Sequence, residues 1–95
     1  MTDVDFGGLT ITFDDRVLRP RDWTLAQSTW AAELLATAPA GPVLELFAGV
    51  GHIGLAAVAS TDRELVMVDL NPAAVELARC NIDTAGLASR VTVRH

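Results

Sequence analysis

The stretch VLELFAGVGHIGL, residues 43–55, constrains the fold of this chain more than any other. A short apolar run, VLELFA, stops at glycines spaced Gly49-x-Gly51-x-x-Gly54, and a second apolar run follows. Such a short, nearly all-apolar segment suits a strand buried on both faces. The glycines then lead into a helix expected over about Ile53 to Ala59. The same alternation repeats downstream. ELVMVDL at 64–70 reads as a second buried strand, and Asn71-Pro72 places a capping side chain before a proline at the first helical position. The helix so started carries Ala74, Ala78, Ile82 and Ala85 on one side and Glu76, Arg79 and Asp83 on the other, and Gly86 closes it. RVTV at 90–93 opens a third strand. The order β-α-β-α-β with short connections implies parallel strands joined by right-handed crossovers. The expected class is therefore α/β, with a Rossmann-like parallel sheet and flanking helices.

The first 42 residues read differently. LTITF at 9–13 alternates in the β pattern, and DDR turns it into VL at 17–18, which predicts a short β-hairpin. From Thr24 to Ala38 the residues Ala31, Leu34, Leu35 and Ala38 recur at helical spacing, so an amphipathic helix is expected, ended by Pro39, Gly41 and Pro42. Trp30 falls in register with Leu34 and is expected in the core. Residues 1–42 would pack as hairpin and helix on residues 43–95, which form the first half of a doubly wound domain. The expectation is a single, incomplete domain whose VLELFA strand keeps an open edge, available for a further strand or for self-association.

Composition narrows the function classes. A net charge of −5 argues against a polyanion-binding surface, and the Arg16, Arg19, Arg21 cluster reads as a solvated loop. One cysteine, Cys80, excludes an internal disulfide. The acidic start lacks the features of a signal peptide, and no apolar stretch approaches the ~20 residues that cross a bilayer. A cytoplasmic protein without membrane contact or bound metal is expected.

The glycine spacing suits two cofactors. A dinucleotide pyrophosphate can approach such a turn, and so can S-adenosylmethionine; Asp69, 20 positions after Gly49, could take the ribose hydroxyls of either. Glu45 separates them. It stands among Leu44, Leu46 and Phe47, where an ionised group is costly unless a cation meets it. S-adenosylmethionine offers an ammonium and a sulfonium, whereas NAD(P) offers anionic phosphates. At about 5 Å and an effective dielectric near 20, a unit charge pair is worth on the order of 3 kcal/mol, attractive for one ligand and repulsive for the other. An NAD(P)-dependent oxidoreductase and a non-catalytic interaction module remain as alternatives.

Glu45-Leu-Phe-Ala-Gly49-Val-Gly51, followed by VDLNPAAVELARCNIDTAGL, resembles the class I S-adenosylmethionine-dependent methyltransferases. FGGLTITFDDRVLRPRDWT at 6–24 is similar to the segment preceding the fold in release-factor glutamine N5-methyltransferases and related N-methyltransferases. The resemblance implies that Glu45 holds the methionine amino end and that Phe47, Ala48, Gly49 and Gly51 form a backbone wall. It implies further that Asp69 takes the ribose hydroxyls, Leu70 lies against the adenine and Thr24 sits near the methionine end. The methyl acceptor would be a protein glutamine, a nucleic-acid base or a small-molecule amine. Two departures stand out. Trp23 and Leu25 replace the acidic residues that usually flank the threonine, and the Asn-Pro-Pro-aromatic motif of catalysis has no counterpart here, so catalytic residues are expected beyond His95 and the chain alone is expected to lack turnover.

The remaining polar residues read mostly as structural. His52 is expected to be solvated; Cys80 and Asn81 fall inside the third helix, where Cys80 is expected to be a small buried side chain. Trp23 is a candidate for the cofactor entrance, and Gln27 for reaching the site.

Overall fold

The computed structural model describes residues 1–95. Its elements are β1 (Thr2–Phe6), β2 (Leu9–Phe13), α1 (Leu25–Leu35), β3 (Val43–Leu46), α2 (His52–Val58), β4 (Leu65–Val68), α3 (Pro72–Thr84) and β5 (Val91–Arg94), with a short 3-10 turn at Asp22–Thr24 before α1. Strands β3, β4 and β5 form a parallel sheet in that order, with Val43 opposite Leu65 and Leu65 opposite Val91. The β-α-β-α-β order read from the apolar runs is thus the architecture found. No helix is long and apolar enough to cross a membrane.

Local chemistry explains the boundaries of α3. Asn71 accepts a hydrogen bond from the Ala73 N–H through its side chain, and Pro72 occupies the first turn, where its missing N–H costs nothing. At the other end Gly86 adopts φ 72°, and the Leu87 N–H reaches back to the Ile82 carbonyl, closing the helix as glycine at that position allows.

The hairpin lies elsewhere than expected. β1 pairs with β2 in antiparallel register from Thr2 opposite Phe13 to Phe6 opposite Leu9, and Val17 and Leu18 belong to no strand. The turn is Gly7-Gly8, with φ of 59° and 87°, the left-handed pair that a two-residue hairpin loop requires. Asp14, Asp15 and Arg16 do not reverse a strand; the Asp14 carboxylate instead takes the Arg16 backbone N–H and guanidinium.

Burial corrects two further expectations. Along the sheet it alternates: Leu65, Met67, Val91 and Val93 are buried, whereas Leu44 and Leu46 are 63% and 60% exposed. The strands are therefore covered on one face, not both, because α2 and α3 pack on the same side and nothing in this chain covers the other. Trp30, expected in the core, is 65% exposed, and Leu34 is 55% exposed. The residue of α1 that is buried is Ser28, whose hydroxyl donates to the Ile53 carbonyl at 2.7 Å, so α1 meets α2 through a polar contact that an apolar stripe does not reveal. The helix also ends at Leu35, short of Ala38, where the Arg63 guanidinium takes the carbonyls of Leu35, Ala38, Pro39 and Gly41.

Asn81 joins the hairpin to the rest. It is fully buried in α3; its Oδ1 accepts from the Thr12 N–H at 2.8 Å, and its Nδ2 donates to the carbonyls of Thr12 and Val50 at 3.0 and 2.9 Å. One carboxamide thus satisfies the outward peptide groups of β2 and the carbonyl in the glycine turn. Replacing it strands three backbone groups, each costing about 1–3 kcal/mol when buried. Asn81→Ala is accordingly expected to lower the unfolding free energy by roughly 3 kcal/mol or more and the melting temperature by about 10–20 °C. Thermal unfolding followed by circular dichroism checks this, and a shift under about 4 °C would contradict it.

Candidate functional site

Parallel α/β sheets collect ligands beyond the carboxyl ends of their strands. A cleft of about 590 Å³ opens there, with Glu45 from β3, Phe47, Ala48 and Gly49 from the turn after it, and Asp69 just past β4 among its walls. The segment 17–24, running from the hairpin into α1, supplies the facing material, including Arg19, Arg21, Trp23 and Thr24.

The turn is built from residues in the left-handed region: Phe47 at φ 56°, Gly49 at 59° and Gly51 at 87°. For Phe47 this is an uncommon and strained conformation, and its ring is 89% exposed beside the cleft. A Cβ on Gly49 would stand in open space, so this glycine leaves room at the cleft wall. Gly51 is different. A Cβ there would press on the Met67 side chain at 2.9 Å, and the residue does not line the cleft. The absence of a side chain at this position serves packing against β4.

Asp69 stands beside the turn. Its Oδ2 accepts the Gly49 N–H at 2.7 Å and its Oδ1 accepts the Asn71 N–H at 2.9 Å. A carboxylate has about four acceptor positions, so each oxygen keeps one for another donor. The acid therefore both ties the turn to β4 and presents free lone pairs to the cleft.

Glu45 is the electrostatic anomaly. Its Oε1 is buried without a hydrogen-bond partner. Loss of water raises its pKa from an ordinary 4.5 to about 7, and the Gly54 N–H, whose approach falls short of hydrogen-bond geometry to Oε1, pulls it partly back. Gly54 is the residue that sequence reasoning undervalued. A Cβ there would collide with Glu45 Oε1, so the third glycine of the motif exists to let α2 pass over this carboxylate.

The other expected residues are distributed unevenly. Thr24 is buried at the cleft, where its hydroxyl donates to the Arg21 carbonyl at 2.6 Å. Leu70 is 86% exposed and lies outside the cleft walls, as does Gln27. His52, expected to be solvated, packs edge-on against Phe6 at 4.9 Å between ring centroids; its Nδ1 is buried without a partner, and burial pushes its pKa down. Cys80 is exposed, not buried, because it falls on the outer side of α3.

The pH dependence follows from Glu45. Its folded-state pKa lies above the unfolded one, so the unfolded chain releases the proton first and stability falls as pH rises from about 4.5 to about 7. Glu45→Gln removes this loss. Its unfolding free energy in urea is expected to exceed that of the parent by on the order of 2–3 kcal/mol at pH 8 and by far less at pH 4. A difference independent of pH would contradict the burial described here.

With the geometry established, comparisons identify the lineage. The family model described as methyltransferase small domain matches residues 27–95. No match is found among curated proteins. Among solved structures, a transferase from Pyrococcus horikoshii aligns over 99% of this chain and 35% of its own, with a TM-score of 0.80 and 16% identity. The tRNA m1G37 methyltransferase of Methanocaldococcus jannaschii aligns over 99% and 28%, with a TM-score of 0.72 and 23% identity. An RNA methyltransferase from Salinibacter ruber, solved with S-adenosyl-L-homocysteine, aligns over 83% and 49%, with a TM-score of 0.66 and 25% identity. The chain thus spans between 28% and 49% of the length of these structures, and the likeness to the first two is one of fold. Matched over residues 27–95 by that family's model, with the glycine turn and both cleft carboxylates inside the matched region, the chain belongs to the methyltransferase small domain family.

Proposed function

We propose that the cleft binds S-adenosylmethionine and that the chain holds the cofactor-binding half of a methyltransferase acting on an amide or amine nitrogen. The observation that carries this reading is the buried, unpartnered carboxylate of Glu45 in the same cleft as Asp69 and the open space over Gly49. An ammonium against Glu45 repays the lost hydration, whereas a pyrophosphate would add repulsion from two carboxylates. The donor set therefore fits a cationic nucleoside and disfavours NAD(P).

In this reading Glu45 takes the amino group of the cofactor and Asp69 takes ribose hydroxyls with the lone pairs left by Gly49 and Asn71. Phe47, Ala48 and Gly49 form the wall, and Thr24 closes the side toward α1. When bound, the cofactor supplies an electrophilic methyl group on a sulfonium. The protein contributes orientation: its left-handed turn is held in place before any ligand arrives, which lowers the ordering cost of binding. The similarity of residues 6–24 to the N-methyltransferase segment supports nitrogen as the acceptor atom.

Calorimetric titration tests the reading. S-adenosylhomocysteine is expected to bind the 95-residue chain and NADH is not; Glu45→Gln should weaken the former by up to about a hundredfold, the equivalent of ~3 kcal/mol. In the parent the affinity should rise with pH up to about 7 and then level, because binding requires the ionised carboxylate. Equal affinity for NADH, or an unaffected Glu45→Gln variant, would contradict the assignment.

A further inference from the structure

The cleft is lined by opposite charges on its two sides. Glu45 and Asp69 stand on the sheet side, and the segment facing them carries Arg19 and Arg21. The net charge of −5 conceals this division. The arginine cluster that the sequence presents as one solvated loop is also divided. Both salt bridges of the chain belong to Arg16, with Asp14 at 2.6 Å and Glu76 at 3.6 Å. Arg19 and Arg21 enter neither, and the guanidinium hydrogen bonds of the chain come from Arg16, Arg63 and Arg90. The Arg19 guanidinium rests over the Phe13 ring at 5.4 Å, which fixes its position without using a carboxylate.

The segment carrying these arginines is tied at both ends. An Asn71 side-chain N–H donates to the Arg16 carbonyl at 3.2 Å, and the Thr24 N–H and hydroxyl donate to the Arg21 carbonyl at 3.0 and 2.6 Å. These bonds decide which groups can still donate into the cleft. Thr24 has one hydroxyl proton and commits it to Arg21, so toward a ligand it offers lone pairs alone. Burial pushes the pKa of His52 down and favours its neutral ring. Arg19 and Arg21 are therefore the cations among the cleft walls, and both keep free donors. The cofactor proposed above carries two charges at its amino-acid end, an ammonium and, on the same carbon, a carboxylate. Glu45 answers the first. The second would meet Glu45 and Asp69 as like charges unless a cation offsets them, and the planar fork of a guanidinium matches a carboxylate.

We propose that Arg19 and Arg21 are specificity-determining residues that receive the carboxylate of S-adenosylmethionine, while Glu45 and the Thr24 oxygen receive its ammonium, so that the cleft selects a cofactor carrying both charges. The inference rests on the cofactor assignment above and gives a role to the side of the cleft which that assignment leaves unused. It also reverses what net charge alone dictates. Without its carboxylate the cofactor is a dication, which a chain of charge −5 attracts more strongly at long range. Two guanidiniums facing the missing group make the same dication the poorer ligand.

The test is calorimetric titration of the 95-residue chain with S-adenosylmethionine and with decarboxylated S-adenosylmethionine, which keeps the adenosine, sulfonium and ammonium. The parent is expected to bind the carboxylate-bearing compound about tenfold or more tightly. Arg19→Gln/Arg21→Gln should weaken that compound by about tenfold and leave the decarboxylated one no weaker, so that the preference disappears. Arg79→Gln, on the exposed side of α3, changes the net charge away from the cleft and should keep the preference intact. Circular dichroism verifies that each variant is folded, and the comparison of ligands on the parent needs no variant. Three results would overturn the inference: equal or tighter binding of the decarboxylated compound by the parent, a double variant that weakens both compounds alike, or loss of the preference in Arg79→Gln. If both compounds bind without preference, the carboxylate assignment falls alone; if neither binds, the cofactor assignment falls with it.

Discussion

The carboxamide of Asn81 is the interaction on which the rest of this structure depends. A hairpin of two strands is marginal by itself, and a glycine turn is the most entropically free part of any chain. Asn81 binds both at once, taking the Thr12 peptide on one side and the Val50 carbonyl on the other from a fully buried position in α3. Because those partners are backbone groups, the bond fixes main-chain positions and tolerates no sliding of register. The hairpin therefore stands at a set height over the turn, Phe6 meets His52, and the segment from β2 to α1 is delivered to the cleft.

The cleft then follows as a consequence of what the turn must accommodate. Burying Glu45 costs stability, and the cost is maintained by a glycine at 54 that keeps α2 close enough to desolvate the carboxylate. A fold optimised for stability alone would place an apolar side chain at this position. A desolvated ionisable group in a cleft at the carboxyl end of a parallel strand marks a candidate ligand site. Asp69 plays a double part beside it, as an intramolecular clamp on Gly49 and as an acceptor with capacity to spare.

Much of this was legible in the sequence, for identifiable reasons. The parallel sheet was readable because apolar runs, glycines and the Asn71-Pro72 cap all reported the same alternation. Glu45, Gly49 and Asp69 were readable as cleft residues because the glycine turn follows β3 and Asp69 follows β4, which brings all three to the carboxyl edge of the sheet. What escaped were contacts whose signal is not periodic. Asn81, Ser28, Arg63 and Arg90 act on backbone carbonyls or amides of distant segments, and no local pattern announces such partners. The hairpin was misplaced because the alternation of LTITF was weighed above Gly7-Gly8, the stronger turn signal. Trp30 was assigned to the core by its spacing from Leu34, yet both face outward, since α1 is held by Ser28 and is only half covered. Gly51 and Leu70 do not line the cleft: a Cβ at 51 would press on Met67, and Leu70 is exposed.

The central claim is that Glu45 is a carboxylate waiting for a cation. Its titration can be followed directly by carbon-detected NMR of the side-chain carboxyl, first in the free chain and then with saturating S-adenosylhomocysteine. The account predicts a midpoint at about 7 without ligand, falling below the ordinary value of 4.5 once an ammonium is bound. A midpoint near 4.5 in the free chain, or one that the ligand leaves in place, would contradict it.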